Sequence, residues 1–171
     1  PHAKLELRTK SSNIHELLKQ SPQKNIITSF SISPKNVAKK IDLKTPTIKH
    51  RILSMQKLHQ AGHPIAIHFD PIIYTPNFLN EYEELIASIN NHLPISKIEY
   101  ASIGVVRFTE NVFHQFKKNY ESSSILNTTL IKSFDQKLRY PRPLRKKILK
   151  EVEIILKKYG LCSKKIYQCM E

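Results

Sequence analysis

Residues Ile26-Ile27-Thr28-Ser29-Phe30-Ser31-Ile32-Ser33-Pro34 constrain the fold more than any other stretch of this chain. Ile26, Ile27, Phe30 and Ile32 give a short apolar run that reads as a buried strand, and it runs straight into hydroxyls and a proline. Three more stretches share the form. Leu5 to Lys10 ends on a cation, Pro64 to Asp70 on an acid, and Ile98 to Arg107 on a cation. Each is followed by a helix-like stretch. Strands that alternate with helices require right-handed crossovers and hence a parallel sheet. Four such strands make either half of a (β/α) barrel or a doubly wound sheet, and neither identifies a reaction. In parallel barrels the chemistry lies where strands end at their carboxyl side, so four polar ends point to one rim.

The helices are punctuated by residue type. Asn13 with Glu16 three positions on forms a capping-box pattern ahead of Leu17 and Leu18. Thr45-Pro46 reads as an N-cap followed by proline at the first helical position. Behind it Ile48, Ile52, Met55 and Leu58 keep helical spacing, and Gly62 supplies the stop. Asn77 can cap a helix with the stripe Leu79, Tyr82, Ile86, Ile89 and Leu93. Another begins near Glu110 with Val112, Phe113 and Phe116. The longest follows Pro143 and carries Leu144, Ile148, Val152, Ile155 and Tyr159, with Gly160 behind. Lys165 to Met170 reads as a short strand, and Ser122-Ser123-Ser124 as a cap or turn.

Length and charge narrow the function classes. The 171 residues suit one domain with a real core, but a complete eight-stranded barrel takes about 250. The chain begins on Pro1, only a few residues before a strand, which favours a piece of a longer protein. Lys and Arg number 28 against 14 acids, a net charge of +14 that favours a polyanion such as nucleic acid. Three glycines exclude glycine-rich phosphate loops. No apolar run approaches the ~20 residues of a membrane span. Cys162 and Cys169 give no disulfide framework and suit a reducing, cytoplasmic compartment. His50, His59, His63 and His68 lack a metal-ligand pattern, because Gly62 ends the helix between His59 and His63. The Gly-x-Ser-x-Gly elbow of a serine hydrolase is absent.

Several of these stretches, in order, resemble the second half of the spore photoproduct lyase family, radical S-adenosylmethionine enzymes that repair DNA. Leu5 to Lys10 resembles the family strand ending in Thr-Lys. Phe30-Ser31-Ile32-Ser33 resembles its Phe-Ser-Ile-Asn, with Ser33 in place of Asn. The stretch Thr47 to Gly62, with Arg51 and Ala61-Gly62, resembles its helix ending in Ala-Gly. Asp70-Pro71-Ile72-Ile73-Tyr74 is similar to its Ala-Pro-Ile-Tyr turn, and Asn80-Glu81-Tyr82 to its Gly-Tyr helix start. Arg107-Phe108-Thr109 matches Arg-Phe-Thr, and Tyr120 falls at the family's following Tyr. The end Cys169-Met170-Glu171 is similar to the close of one branch.

The resemblance implies a partial (β/α) barrel of the radical S-adenosylmethionine type, with about four parallel strands, over residues 1–120. Residues 121–171 form a basic helical extension with a short terminal strand. In the intact enzyme it implies a four-iron four-sulfur cluster, S-adenosylmethionine, and a 5′-deoxyadenosyl radical that splits a thymine dimer in damaged duplex DNA. The family's Cys-x-x-x-Cys-x-x-Cys cluster motif lies upstream of the resemblance and has no counterpart here. Its hydrogen-donor cysteine and radical-relay tyrosines are also missing. This chain alone is therefore expected to hold no cluster and to depend on a missing amino-terminal segment.

By the same resemblance Lys10 meets the cofactor's carboxylate and Ser31 its polar groups. Ser33 either joins them or caps the helix after Pro34. Asp70 holds a ribose hydroxyl or structures the turn. Arg107 faces a phosphate or pairs with Glu99 or Asp70. The basic tail gathers Lys137, Arg139, Arg142, Arg145, Lys146, Lys147 and Lys150 around Tyr140. Arg139 and Tyr140 fall where the family has an Arg-Tyr hairpin near the lesion, and Arg142, Arg145 and Lys146 suit phosphates. Two other readings stand beside this one: a non-catalytic basic nucleic-acid-binding remnant, and a radical enzyme of the same fold with another substrate.

Overall fold

The structure is a computed structural model that describes residues 3–121, 123 and 128–169. Its centre is a five-stranded, fully parallel sheet. In chain order the strands are β1 (Leu5–Thr9), β2 (Ile26–Ser31), β3 (Ile65–Ile72), β4 (Ala101–Val105) and, last, β8 (Ile166–Gln168). They lie side by side in that same order. The helices are α1 (His15–Leu18), α2 (Lys35–Ile41), α3 (Ile48–Gln60), α4 (Phe78–His92), α5 (Glu110–Asn119) and α6 (Arg142–Lys158). A small antiparallel sheet of β5 (Arg107–Phe108), β6 (Ile131–Lys132) and β7 (Leu138–Arg139) stands beyond the end of β4.

The register separates the two faces of the main sheet. Phe30, Ile67, Ala101 and Ile166 lie side by side on one face. Ser31, His68, Ser102 and Tyr167 do so on the other. A sheet covered by helices on both sides has strands that are apolar throughout. Here only the first face is apolar, and α3, α4 and α6 cover it with Met55, Leu58, Ile86, Ile89, Val152 and Leu156, all fully buried. Each such side chain contributes about 1.5–3 kcal/mol relative to leaving it exposed. The second face alternates to Ser, His and charged residues, the pattern of a barrel interior rather than a doubly wound sheet.

Two glycines end the long helices. Gly62 and Gly160 adopt φ of 91° and 89°, which side chains strain to reach. At the first, the His63 amide donates to Leu58 and the Gly62 amide to His59. At the second, Leu161 donates to Leu156 and Gly160 to Lys157, the paired bonds of a Schellman stop.

Several helix starts differ from expectation. The capping box does not form: α1 is a single turn whose N-cap is Ile14, and the Asn13 amide donates instead to the Ser11 hydroxyl. The N-cap of α3 is Thr47, whose hydroxyl accepts from the His50 amide; Thr45 is held outside the helix by Arg51. On α4 the buried stripe starts at Phe78, while Leu79 is exposed. Val112 on α5 is exposed, whereas Phe113 and Phe116 pack with Phe108. The fourth strand begins at Ala101, after a tight turn at Ile95–Lys97, although Glu99 and Tyr100 already exchange backbone bonds with β3.

The carboxy-terminal residues return to the sheet: β8 is its fifth strand, beside β4. Of the serine turn, Ser123 donates its amide to Tyr120, and its neighbours Ser122 and Ser124 lie outside the described residues, as do Met170 and Glu171.

Candidate functional site

The polar face gathers side chains at two levels. Towards the carboxyl ends of the strands, Lys10 follows β1, Ser31 closes β2 and Asp70 lies near the end of β3, on the same face. The Lys10 ammonium donates to the Asp42 carboxylate at 2.6 Å. Asp42 also accepts from Arg51 at 2.8 Å, and the Arg51 guanidinium has no exposed surface. Arg51 further donates to the Ser31 and Pro46 carbonyls and to the Thr45 hydroxyl. One buried fork thus fastens the loop after α2 to the end of β2. Burial opposes ionisation of Asp42, but the bonds from Lys10 and Arg51 outweigh it and hold the carboxyl below its usual range. Ser33 lies half-buried just before Pro34, which is the N-cap of α2.

Beneath the rim, Glu6, Arg8, Ser29, His68 and Tyr100 form a second cluster. Glu6 Oε1 lies 2.6 Å from His68 Nε2 and accepts from the Ser29 hydroxyl at 2.6 Å. Arg8 reaches His68 Nδ1 at 2.7 Å. Burial and the Arg8 charge push the His68 ring below its ordinary pKa, more than the Glu6 carboxylate raises it. The ring is then neutral, and the network assigns its tautomer: Nε2–H donates to Glu6, and Nδ1 accepts from Arg8. Burial would raise Glu6, but the Ser29 bond, His68 and Tyr100 bring it down to about 2.

At the far side, the Cys169 thiol donates to the Asp70 carboxylate, and burial with that carboxylate pushes the thiol pKa up. Gly104 makes room for the pair: an added Cβ would lie 3.1 Å from Asp70 Oδ1 and 3.3 Å from Cys169 Cβ. The Asp70–Pro71 peptide bond is cis. Arg107 pairs across β5 and β7 with Arg139, is half-buried, and its charge acts on Cys169.

The basic tail divides. Tyr140 is completely buried, rings against Tyr74, and its hydroxyl accepts from the Tyr74 amide at 3.1 Å. Arg139 is 4% exposed and bound to Asp135. The expected stacking of Tyr140 and Arg139 on a nucleotide is therefore corrected. Tyr140 links the end of β7 to Pro141, the N-cap of α6. Arg142 and Lys146 are exposed on α6, and with the half-buried Arg145, whose guanidinium donates to the Tyr140 carbonyl, they line a groove of about 400 Å³ that reaches Gln168. Among the described residues no group of His, Cys, Asp and Glu could hold a metal ion. Cys162 is exposed and Cys169 half-buried, and two thiols fall short of the three that hold a four-iron cluster with one open site, so the residues present do not fit that group. No helix among the described residues is long and apolar enough to cross a membrane.

Sequence reasoning passed over Glu6, Arg8 and Asp42, and weighed His68 only as a metal ligand. The alternation Leu5-Glu6-Leu7-Arg8-Thr9-Lys10 held the signal for the first two, because it places Glu6, Arg8 and Lys10 on one face. Asp42 lies in a loop and carries no such signal.

A parallel sheet with one helix-covered apolar face and one polar face, its charged groups gathered at the carboxyl ends, defines a partial (β/α) barrel. Residues 1–153 match the family model described as spore photoproduct lyase, and the chain belongs to that family. It is 24% identical over 124 residues to the spore photoproduct lyase of Clostridium acetobutylicum, covering 72% of this chain and 37% of that protein. A spore photoproduct lyase cysteine-to-alanine mutant with dinucleoside spore photoproduct superposes with a TM-score of 0.83 at 16% identity, over 98% of this chain and 51% of the other. A further mutant with bound AdoMet and the same dinucleoside gives 0.78, again at 16% identity, over 96% of this chain and 50% of that one. The chain thus spans about half the length of the solved relatives and 37% of the curated one.

Proposed function

We propose that this chain is the second half of a spore photoproduct lyase-like DNA-repair enzyme, working in the cytoplasm beside a segment that carries the cluster cysteines. One observation carries the reading: in a chain whose residues 1–153 match the family, the polar groups Lys10, Ser31 and Asp70 share one face at the strand ends. S-adenosylmethionine, when bound, supplies the family's radical chemistry. The part of this chain is to bind and orient it. The Lys10 ammonium suits the amino-acid carboxylate, while Ser31, Ser33 and Asp70 suit its hydroxyl and amine groups. Asp42 holds Lys10 in place. Arg142, Arg145 and Lys146 bind the phosphates of a damaged duplex, with Arg107 at the strand ends. A second reading, a non-catalytic nucleic-acid-binding chain, draws on the shortage of cysteines.

Saturation-transfer NMR of S-adenosylmethionine with this chain tests the cofactor reading. Transfer is expected for the parent and lost in Lys10→Ala; no transfer in the parent removes the reading. For DNA, Arg142→Ala and Lys146→Ala are expected to weaken damaged and undamaged duplexes equally, each reducing the salt slope by about 1. Anisotropy titrations that match the parent would exclude α6 as the DNA surface.

A further inference from the structure

The helix α5 has one apolar face yet buries none of its residues. Between it and the end of α2 runs a trough of about 880 Å³, with Phe116 and Tyr120 on one side and Lys40 and Ile41 on the other. A second depression of about 360 Å³ shares Ile41 and Phe116 with it and reaches Phe108, Asp70 and Arg107. The two lie on either side of these shared walls. Together they lead from the strand-end rim outwards along a ladder of rings. Phe108 and Phe116 lie 5.2 Å apart between centroids, tilted by 36°, and Phe116 and Tyr120 lie 5.2 Å apart, tilted by 32°. Tyr120 is 48% exposed.

We propose that this trough holds unpaired bases of a single nucleic-acid strand, stacked on Tyr120 and Phe116, with their phosphates on Lys40 and Lys118. This rests on the DNA reading above and adds a site to it. An aromatic floor between cations suits a strand without sequence preference, because every base has a flat face to stack and every phosphate a charge to pair. Glu121 faces the outer end of the same space, so the lysines exceed the acid by one there. The net charge of +14 supplies the wider field. The inner end opens at Asp70 and Arg107, so a strand lying in the trough is led to the rim. A rigid duplex keeps its bases paired and cannot present their faces to Tyr120. The occupant is therefore the strand that opening a duplex would free.

The chain contains no tryptophan, so Tyr120→Trp places a single reporter at the exposed end of the ladder. Oligothymidylate is expected to quench it, whereas inorganic polyphosphate and a blunt duplex of equal length are not. By anisotropy, Tyr120→Ala is expected to weaken oligothymidylate binding at least about fivefold, the lower end of what one stacked base contributes. Lys40→Ala with Lys118→Ala is expected to weaken it further and to flatten its salt dependence. Equal quenching by polyphosphate or duplex would overturn the proposal, as would oligothymidylate binding that leaves the reporter unquenched. The outcomes separate from those of the DNA reading. Quenching by the single strand without any duplex binding keeps the trough and removes the α6 surface. Duplex binding through Arg142 and Lys146, with the reporter left unquenched by oligothymidylate, removes the trough alone.

Discussion

Arg51 and Asp42 meet at 2.8 Å with the guanidinium wholly out of solvent and the carboxylate 5% exposed. The pair ties α3 to the loop after α2, and the same Arg51 nitrogen donates to the Ser31 carbonyl at the end of β2. Its role is to set the backbone at the rim. It also fixes Lys10, which contacts the other oxygen of Asp42.

Removing one partner of a buried ion pair leaves the other charge without compensation, at a cost of about 3–5 kcal/mol. Lys10 still pairs with Asp42 in Arg51→Met, so a loss at the lower end, about 3 kcal/mol, is expected in chemical denaturation followed by circular dichroism. A loss under about 1 kcal/mol would show that Asp42 is not dependent on Arg51. Asp42→Asn is expected to weaken S-adenosylmethionine binding as well, by releasing Lys10.

The Glu6–His68 pair predicts a loss of stability in acid. The folded chain keeps His68 neutral, whereas the unfolded ring takes up a proton near its ordinary 6.5, so stability falls as pH drops below that value. Glu6 is held at about 2 against an ordinary 4.5, so its contribution is complete above 4.5 and is lost as pH falls from there towards 2. Melting curves between pH 8 and 4 are expected to show His68→Gln with a shallower decline below 6.5 than the parent. Parallel curves would remove His68 from the account.

Tyr140 is predicted to matter for folding. Tyr140→Phe leaves the half-buried Tyr74 amide without its acceptor, at about 1 kcal/mol, and Tyr140→Ala removes a core ring at about 3–5 kcal/mol. Neither change is expected to act on damaged duplex in particular. If Tyr140→Phe melts like the parent but loses preference for damaged DNA, the ring reaches the nucleotide after all.

The two thiols are predicted to differ in reactivity. Cys162 is exposed, while Cys169 is half-buried and held as the thiol by burial and by Asp70. Only the thiolate is alkylated. At neutral pH iodoacetamide is expected to label Cys162 first, and Asp70→Asn to speed labelling of Cys169. Mass spectrometry of a time course reads both. Equal rates in the parent would mean that Asp70 does not hold Cys169.

Much of the fold was legible in the residues because its signals are local. Apolar runs of strand length, helical stripes such as Ile52-Met55 and Leu58, and the stops Gly62 and Gly160 act through the backbone within a turn or two. These determine a parallel strand-and-helix chain with polar strand ends, and the alternation in β1 already assigns Glu6, Arg8 and Lys10 to one side. Which helix residue became the cap was decided by tertiary contacts: Arg51 takes the Thr45 hydroxyl, and Thr47 caps in its place. Only the tertiary structure could bring Glu6 to His68 across 62 positions, or seat the Tyr140 hydroxyl on the Tyr74 amide across 66. Those meetings depend on the register of neighbouring strands and on where β7 hands over to α6, and neither leaves a periodic trace in the sequence. The same basic-aromatic tail therefore yields an exposed cationic helix face at Arg142 and Lys146 and a core ring at Tyr140: burial is set by the direction each side chain takes once the elements have packed.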